Sequence, residues 1–280
     1  MKRFFPRHSL LLTLALSLSA SAGEVLFAPE RVSDWLWNYT PDKVSVSARN
    51  GVKTFRIRGY RQLFSARKFP VKNGIVYRLS GEFRAAPGST PAKFYFGFAP
   101  CCGKGRPINS PTVNLIPGSG TALLADVGKT DRIIRLAPAA NWKTGGFVVF
   151  HAEKDLSDLP NFHFSKGTVQ SIARQGESMI VTLSRPVGLE AAKGTPVREH
   201  FPGGNYHYAG ALNETAPLQW TLFEGYVSGF ARGGLPRDQW WAGTETVAVM
   251  ILGNYRGPED AVLEFRNLKF ETADREKKSK

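Results

Sequence analysis

Cysteine is nearly absent from this chain: two residues in 280, adjacent at Cys101 and Cys102. A fold stapled by several disulfides is excluded, and a zinc site needs more ligands, at proper spacing, than this pair provides. Long hydrophobic runs are also scarce. The apolar stretch Leu10 to Leu18 is about half the roughly 20 residues that span a bilayer, and no later stretch is long enough. Helical periodicity is hard to find. Three catalytic signatures are missing as well: H-E-x-x-H, G-x-S-x-G, and a phosphate-binding glycine loop with Lys-Ser/Thr. Acidic residues are in the minority, 23 against 37 basic ones, for a formal net charge of +14.

What is present points to a packed β protein. The chain has 28 Gly and 18 Pro beside 19 Phe, 8 Tyr and 6 Trp, a composition unlike that of a disordered or collagenous chain. A chain of this length buries roughly three quarters of its unfolded surface, enough for one large β domain or two smaller ones. At the start, Lys2, Arg3 and Arg7 precede the Leu10 to Leu18 stretch, and Ala20-Ser21-Ala22 supplies small residues. This is the pattern of a signal peptide over 1–22, with an N-terminal membrane anchor as the alternative. The expected product is secreted or periplasmic, with no transmembrane segment after processing. Its positive surplus favours an anionic partner, and export argues against nucleic acid. Part of that charge sits in a solvated tail at 274–280, in Arg275, Lys277, Lys278 and Lys280.

Period-2 alternation is frequent. In Ile75 to Arg84, Tyr77, Leu79, Gly81 and Phe83 point one way and Arg78, Ser80, Glu82 and Arg84 the other. Ala92 to Phe98 repeats the pattern with Phe94, Phe96 and Phe98, and the turn residues Ala86 to Ser89 lie between, so the two segments are expected to form a hairpin. Glu245 to Leu252 is almost continuously apolar, as a strand covered on both faces would be. In Ala261 to Glu271 the phase slips near Arg266-Asn267, which predicts a bulge. Further strands are expected at Val52 to Ile57, Gln62 to Phe69, Arg132 to Leu136, Phe147 to His151, Met179 to Leu183 and Gln219 to Val227. The fold class is all-β: a two-sheet jelly-roll β-sandwich over 23–273, interrupted by a small β insertion at about 159–211. Some fifty residues hold only a marginal core, so the insertion is expected to pack on the sandwich, with a true second domain as the alternative.

Gln62-Leu63-Phe64-Ser65, Val71 to Arg84 and the closing Val262 to Phe270 resemble secreted carbohydrate-binding modules of the galactose-binding-like jelly-roll superfamily. A "gk-Y-x-lsg-x-r" strand and a closing "v-x-f-D-N-v-x-l" strand recur there. The resemblance covers about a quarter of the processed chain. Many relatives carry an acidic residue near a structural calcium in the closing strand. Here Arg266 or Asn267 stands at that place, so the calcium is left open and no other cofactor is implied.

Sugar binding uses rigid aromatic rings beside convergent polar groups in a groove. The densest such cluster is Arg198, Glu199, His200, Asn205, Tyr206, His207 and Tyr208, folded back by Pro202-Gly203-Gly204 so that His200 and Tyr206 should meet. The plain alternative is a hairpin whose rings pack on the sandwich. Trp240 and Trp241 follow a Gly-rich loop, and extended neighbours face opposite ways, so at most one is expected in the core. Trp35, Trp37 and Tyr39 could form a stacking platform, and Arg78, Glu82, Arg84, Lys93 and Tyr95 a charged face for an acidic glycan. Cys101 and Cys102 could close a vicinal disulfide, although usual disulfide geometry fits neighbours poorly. No metal site is expected.

The functional expectation is an exported, non-catalytic protein that binds a polysaccharide or oligosaccharide, anionic in character. The ligand-binding set is Arg198, His200, Asn205, Tyr206, His207, Tyr208, Trp240, Trp241, Arg78 and Tyr95. The enzymatic alternative is a polysaccharide lyase with Tyr206, His207 or His200 as base and acid and Arg198 neutralising a uronate. A third reading is an envelope assembly or protein-interaction component.

Overall fold

The computed structural model describes residues 23–37 and 43–274, so the signal segment, Tyr39 and the tail beyond Asp274 lie outside it. In chain order, β1 (Val25–Phe27), β2 (Trp35–Trp37), β3 (Val44–Arg49) and β4 (Val52–Arg58) come first. They are followed by β5 (Arg61–Ser65), β6 (Phe69–Pro70), β7 (Val76–Ala85) and β8 (Lys93–Cys101). A short helix α1 (Ser110–Val113) precedes β9 (Thr121–Ala122), β10 (Ile133–Leu136) and β11 (Phe147–Phe150). Then come β12 (Phe164–Gln175), β13 (Ser178–Leu183) and β14 (Pro196–His200). The last four are β15 (His207–Thr215), β16 (Thr221–Ser228), β17 (Thr246–Tyr255) and β18 (Val262–Ala273).

Two antiparallel sheets form the sandwich. One runs β16-β7-β18-β4-β3 with β1 on β18; the other runs β15-β8-β17-β5-β2 with β6 on β17. Most connections cross from one sheet to the other, the winding of a jelly roll. The expected hairpin of β7 and β8 is corrected here, because the two strands lie in opposite sheets. The physical reason is in the core: Phe83 of β7 stacks on Phe94 of β8 and packs at a tilt against Phe96, each pair with ring centroids 4.9 Å apart. Both apolar faces need cover, and facing each other across the core supplies it. Phe55 stacks on Phe265 at 4.9 Å, and Trp35 lies edge-on to Phe265 at 5.7 Å. Each such buried ring contributes roughly 1.5–3 kcal/mol. β17 is central, as its apolar run implies. The register of β18 against β7 shifts between Arg266 and Lys269, with Asn267 at φ 50°, so the phase slip is a bulge.

The segment between β8 and β15 builds a third sheet, β10-β13-β12-β11-β14-β9. It closes on itself. Leu123, just after β9, bridges Leu136 of β10, the Leu124 amide donates to the Arg135 carbonyl at 2.9 Å, and the Ala137 amide donates to the Ala122 carbonyl at 3.0 Å. Closure removes the sheet edges and leaves a small barrel. Its interior is a separate cluster that includes Ile134, Leu136, Val148, Phe150, Val181, Leu183 and Val197. Of its six strands, three precede residue 159, where the sequence places the start of the insertion. The barrel and sandwich meet at a seam of Ile108, Val113, Leu159, Trp241 and Ala242. Hydrogen bonds reinforce it: Gly203 N donates to Ser110 Oγ at 2.7 Å, and Gly234 N to the Val113 carbonyl at 2.8 Å. No helix among the described residues is long and apolar enough to cross a membrane.

Candidate functional site

The outer face of the β15-β8-β17-β5-β2 sheet carries a groove of about 570 Å³ beside the Gly203-Gly204 bend. Tyr95, Asn205, Tyr206, Tyr208, Leu212 and Tyr255 line it, with Leu235 and Arg237 from the following loop and His207 and Trp241 at its base. Local chain geometry explains each ring. Because Phe94 and Phe96 point into the core, Tyr95 between them must point outward. In β17 the alternation would turn Tyr255 inward. Asn254, at φ 54°, breaks the register between Leu252 and Tyr255, and the Tyr255 ring emerges beside Tyr95. The Asn254 side-chain amide anchors this irregularity by donating to the carbonyls of Ile57, Gly59 and Ala261.

Two glycines set the depth of the groove. A Cβ on Gly97 would lie 2.1 Å from the His207 carbonyl oxygen and 2.8 Å from Tyr208 Cα, so only glycine lets β15 settle this closely on β8. A Cβ on Gly204 would lie 2.6 Å from Tyr208 Cε2, so its absence seats that ring. The outcome is a chain of rings in contact: Tyr60, Tyr255, Tyr95, Tyr208, Tyr206 and Phe64. Successive centroids are 5.6, 5.2, 4.8, 6.3 and 5.6 Å apart.

Burial keeps the Tyr95, Tyr206 and Tyr208 phenols neutral. Burial, and then the neighbouring phenols, push the Tyr208 hydroxyl well above its usual value; burial also raises Tyr206 and Tyr95. They are hydrogen-bonding hydroxyls at any physiological pH, and Tyr95 Oη already donates to Asn213 Oδ1 at 3.1 Å. Arg237 is exposed, but its guanidinium is tied to backbone, with Nε donating to the Tyr208 carbonyl at 3.0 Å.

Several residues expected in the site lie elsewhere. Arg198 and His200 are buried in the barrel. Arg198 donates through Nη2 to Asp158 Oδ2 at 2.5 Å and through Nε to His200 Nε2 at 2.8 Å. Since Nε2 accepts, Nδ1 carries the proton and donates to the Pro111 carbonyl at 2.8 Å. Burial, and then the Arg198 charge, lower the His200 pKa to about 4. His200 therefore faces Arg198 and Pro111 while Tyr206 faces Phe64, and the bend does not join them. His207 is buried against Trp240 and Trp241, donating from Nε2 to the Arg237 carbonyl at 2.9 Å, and burial lowers it to about 4. Trp240 sits in the sandwich core and Trp241 in the seam, so both are buried, against the expectation for this pair. Adjacent side chains face opposite ways, but here a second body of structure covers the other side.

Arg78 lies on the opposite sheet, held by Glu224 at 2.7 Å and Glu271 at 3.0 Å, so it does not share a face with Tyr95. Trp35 is core, which removes it from any stacking platform. Cys101 and Cys102 are free thiols, not a vicinal disulfide. Arg266 and Asn267 both donate to Glu82, at 2.8 Å each, and no group of three or more metal-ligating side chains gathers among the described residues. The sequence reading missed Tyr60 and Tyr255. An aromatic just past the apolar run that ends at Leu252, beside an Asn able to adopt positive φ, was the available signal for Tyr255.

No family model matches the chain, and no curated protein matches it. Among solved structures, the CBM22-1 xylan-binding domain of Xyn10C from Paenibacillus barcinonensis is similar at 10% identity, over 91% of this chain and 97% of that one, with a TM-score of 0.37.

Proposed function

We propose that this protein is an exported, non-catalytic carbohydrate-binding protein whose tyrosine-lined groove receives a segment of polysaccharide or oligosaccharide. The observation that carries this reading is the contiguous chain of rings around a groove of about 570 Å³. That volume is within the roughly 300–1,000 Å³ of ligand pockets, and amphipathic rings combine an apolar face for the C–H side of a pyranose with a hydroxyl for its polar edge. The basic N-terminal residues, the apolar stretch and Ala20-Ser21-Ala22 support export. The net charge of +14 supports a preference for acidic glycans.

The lyase reading loses support, because its acid, base and carboxylate-neutralising residues do not converge: Arg198 and His200 belong to a barrel network, and His207 is sealed beneath the groove. Affinity electrophoresis against a panel of soluble polysaccharides tests the proposal. Wild type should be retarded by at least one of them. Tyr95→Ala and Tyr208→Ala should each weaken retention about tenfold, near the 1.4 kcal/mol that this factor represents, with the thermal midpoint little changed. Retardation by none, or undiminished binding by both variants, overturns the reading. Unsaturated products absorbing in the ultraviolet would select the lyase, and a co-purifying partner without glycan retention the assembly role.

A further inference from the structure

We propose a second site, on the sheet opposite the tyrosine groove: a basic cleft that receives a carboxylate or sulfate group of an acidic polysaccharide. The proposal rests on the glycan reading but places the acid-recognising chemistry away from the rings. The cleft, about 400 Å³, lies between β3, β4 and the Ala86 to Ser89 turn. Its cationic lining is Lys43, Arg56 and Arg58, and Asp260 is the one carboxylate among the described lining residues.

The register across this sheet aligns Ser45, Arg56, Glu264 and Arg84 in one outward row. Glu264, with its side chain only 7% exposed, holds Arg84 at 2.7 Å and Arg56 Nε at 3.2 Å. That leaves the far end of the Arg56 guanidinium oriented and free, on a side chain 49% exposed. Neither Lys43 nor Arg58 has a carboxylate within ion-pair range among the described residues. Two other arginines of this face are neutralised, Arg78 by Glu224 and Glu271 and Arg266 by Glu82, whereas Arg49 and Lys269 have no ion pair among the described residues but lie outside the cleft. Lys43, Arg56 and Arg58 are the cations that this face gathers into one concavity, where the field on an entering anion is strongest.

The mouth is held open by a firm turn. Gly88 is at φ 78°, and a Cβ there would meet nothing within 4 Å. Ser89 locks the turn by donating from its amide to the Ala86 carbonyl and accepting at Oγ from the Val262 amide. The oriented donors of Arg56, with Arg58 and Lys43 nearby and the Ser45 and Ser89 hydroxyls beside them, suit a planar or tetrahedral oxyanion. A membrane surface fits less well, because the cleft is recessed and its apolar lining is limited to Ala86, Pro87 and Val262. The tyrosine groove, by contrast, has a single lining cation, Arg237, bound to backbone carbonyls.

The test compares dextran sulfate with uncharged dextran, using the full chain at 0.1 M salt. The double variant Lys43→Glu/Arg58→Glu should bind dextran sulfate at least tenfold more weakly than wild type and show a shallower salt dependence. Arg174→Glu/Lys193→Glu, an equal charge change at exposed barrel positions, should cost less than twofold. All variants should keep the wild-type thermal midpoint, since Arg58, Arg174 and Lys193 are exposed and Lys43 is only half-buried. Equal loss in both double variants would overturn the cleft in favour of undirected charge. Binding to phosphatidylglycerol vesicles as tight as to dextran sulfate, and lost with the cleft charges, would overturn it in favour of a membrane. Retention of uncharged polysaccharides with no preference for dextran sulfate would sink the cleft alone, whereas retention of no polysaccharide would sink the groove reading itself.

Discussion

Glu199 is the residue with the most exposed thermodynamic consequence, although it is fully buried. Its Oε2 accepts from the Lys143 amide at 2.8 Å, while Oε1 lies against Gly146 with no hydrogen-bond partner. Burial raises its pKa to about 7. An acid whose folded pKa exceeds its unfolded value binds its proton more tightly when folded, so the associated stability is present at acid pH and is lost as pH rises from about 4.5 to about 7. The Glu199 contribution to the unfolding free energy should fall across that window by up to about 3 kcal/mol, against the opposite contributions of His200 and His207, so Glu199→Gln should gain more stability than wild type on going from acid to neutral pH. Denaturant titrations at pH 5 and pH 8 check this; an unchanged difference in the variant would refute it. Asp158 makes a different prediction. Asp158→Asn leaves the Arg198 guanidinium buried without its counter-charge and should cost about 3–5 kcal/mol, measurable as a lowered denaturation midpoint.

At the level of elements, the groove depends on how closely two strands approach. β15 rests on β8 only because position 97 has no side chain. Gly97→Ala should force β15 outward, cost about 1–3 kcal/mol as an overpacking change, and separate Tyr208 from Tyr95. The expected reading is loss of glycan retention together with a lowered midpoint, unlike Tyr95→Ala, which should lose retention alone. Strand pairing was the part of the fold hardest to read in the linear chain. Alternation in Tyr77 to Phe83 and Phe94 to Phe98 identified two strands and their inward faces correctly, yet a hairpin and a crossing between facing sheets produce the same pattern.

On the scale of the whole molecule, the sandwich and the barrel have separate interiors joined by a thin seam. Phe150→Ala in the barrel should cost about 3–5 kcal/mol and accelerate amide exchange in β11 to β14 while leaving β17 and β18 protected. Uniform acceleration across the chain would show that the two cores unfold as one. Retention by acidic polysaccharide should weaken as salt rises above about 0.1 M, since the unpaired cations stand in a solvent-open cleft.

Periodicity and composition were enough, by themselves, to determine that this is a β-sandwich protein, where most of its strands run, which faces turn inward, and where β18 bulges. The same patterns singled out Tyr95, Asn205, Tyr206 and Tyr208, which do line the groove. They also proposed Arg198, His200 and Trp240, which do not. Alternation records only whether a side chain points to one side of its own strand or the other. What covers that side is decided by distant segments, and here the closing of the barrel buried the Arg198 face while the glycine-permitted contact of β15 with β8 left the tyrosines at the rim of an open groove.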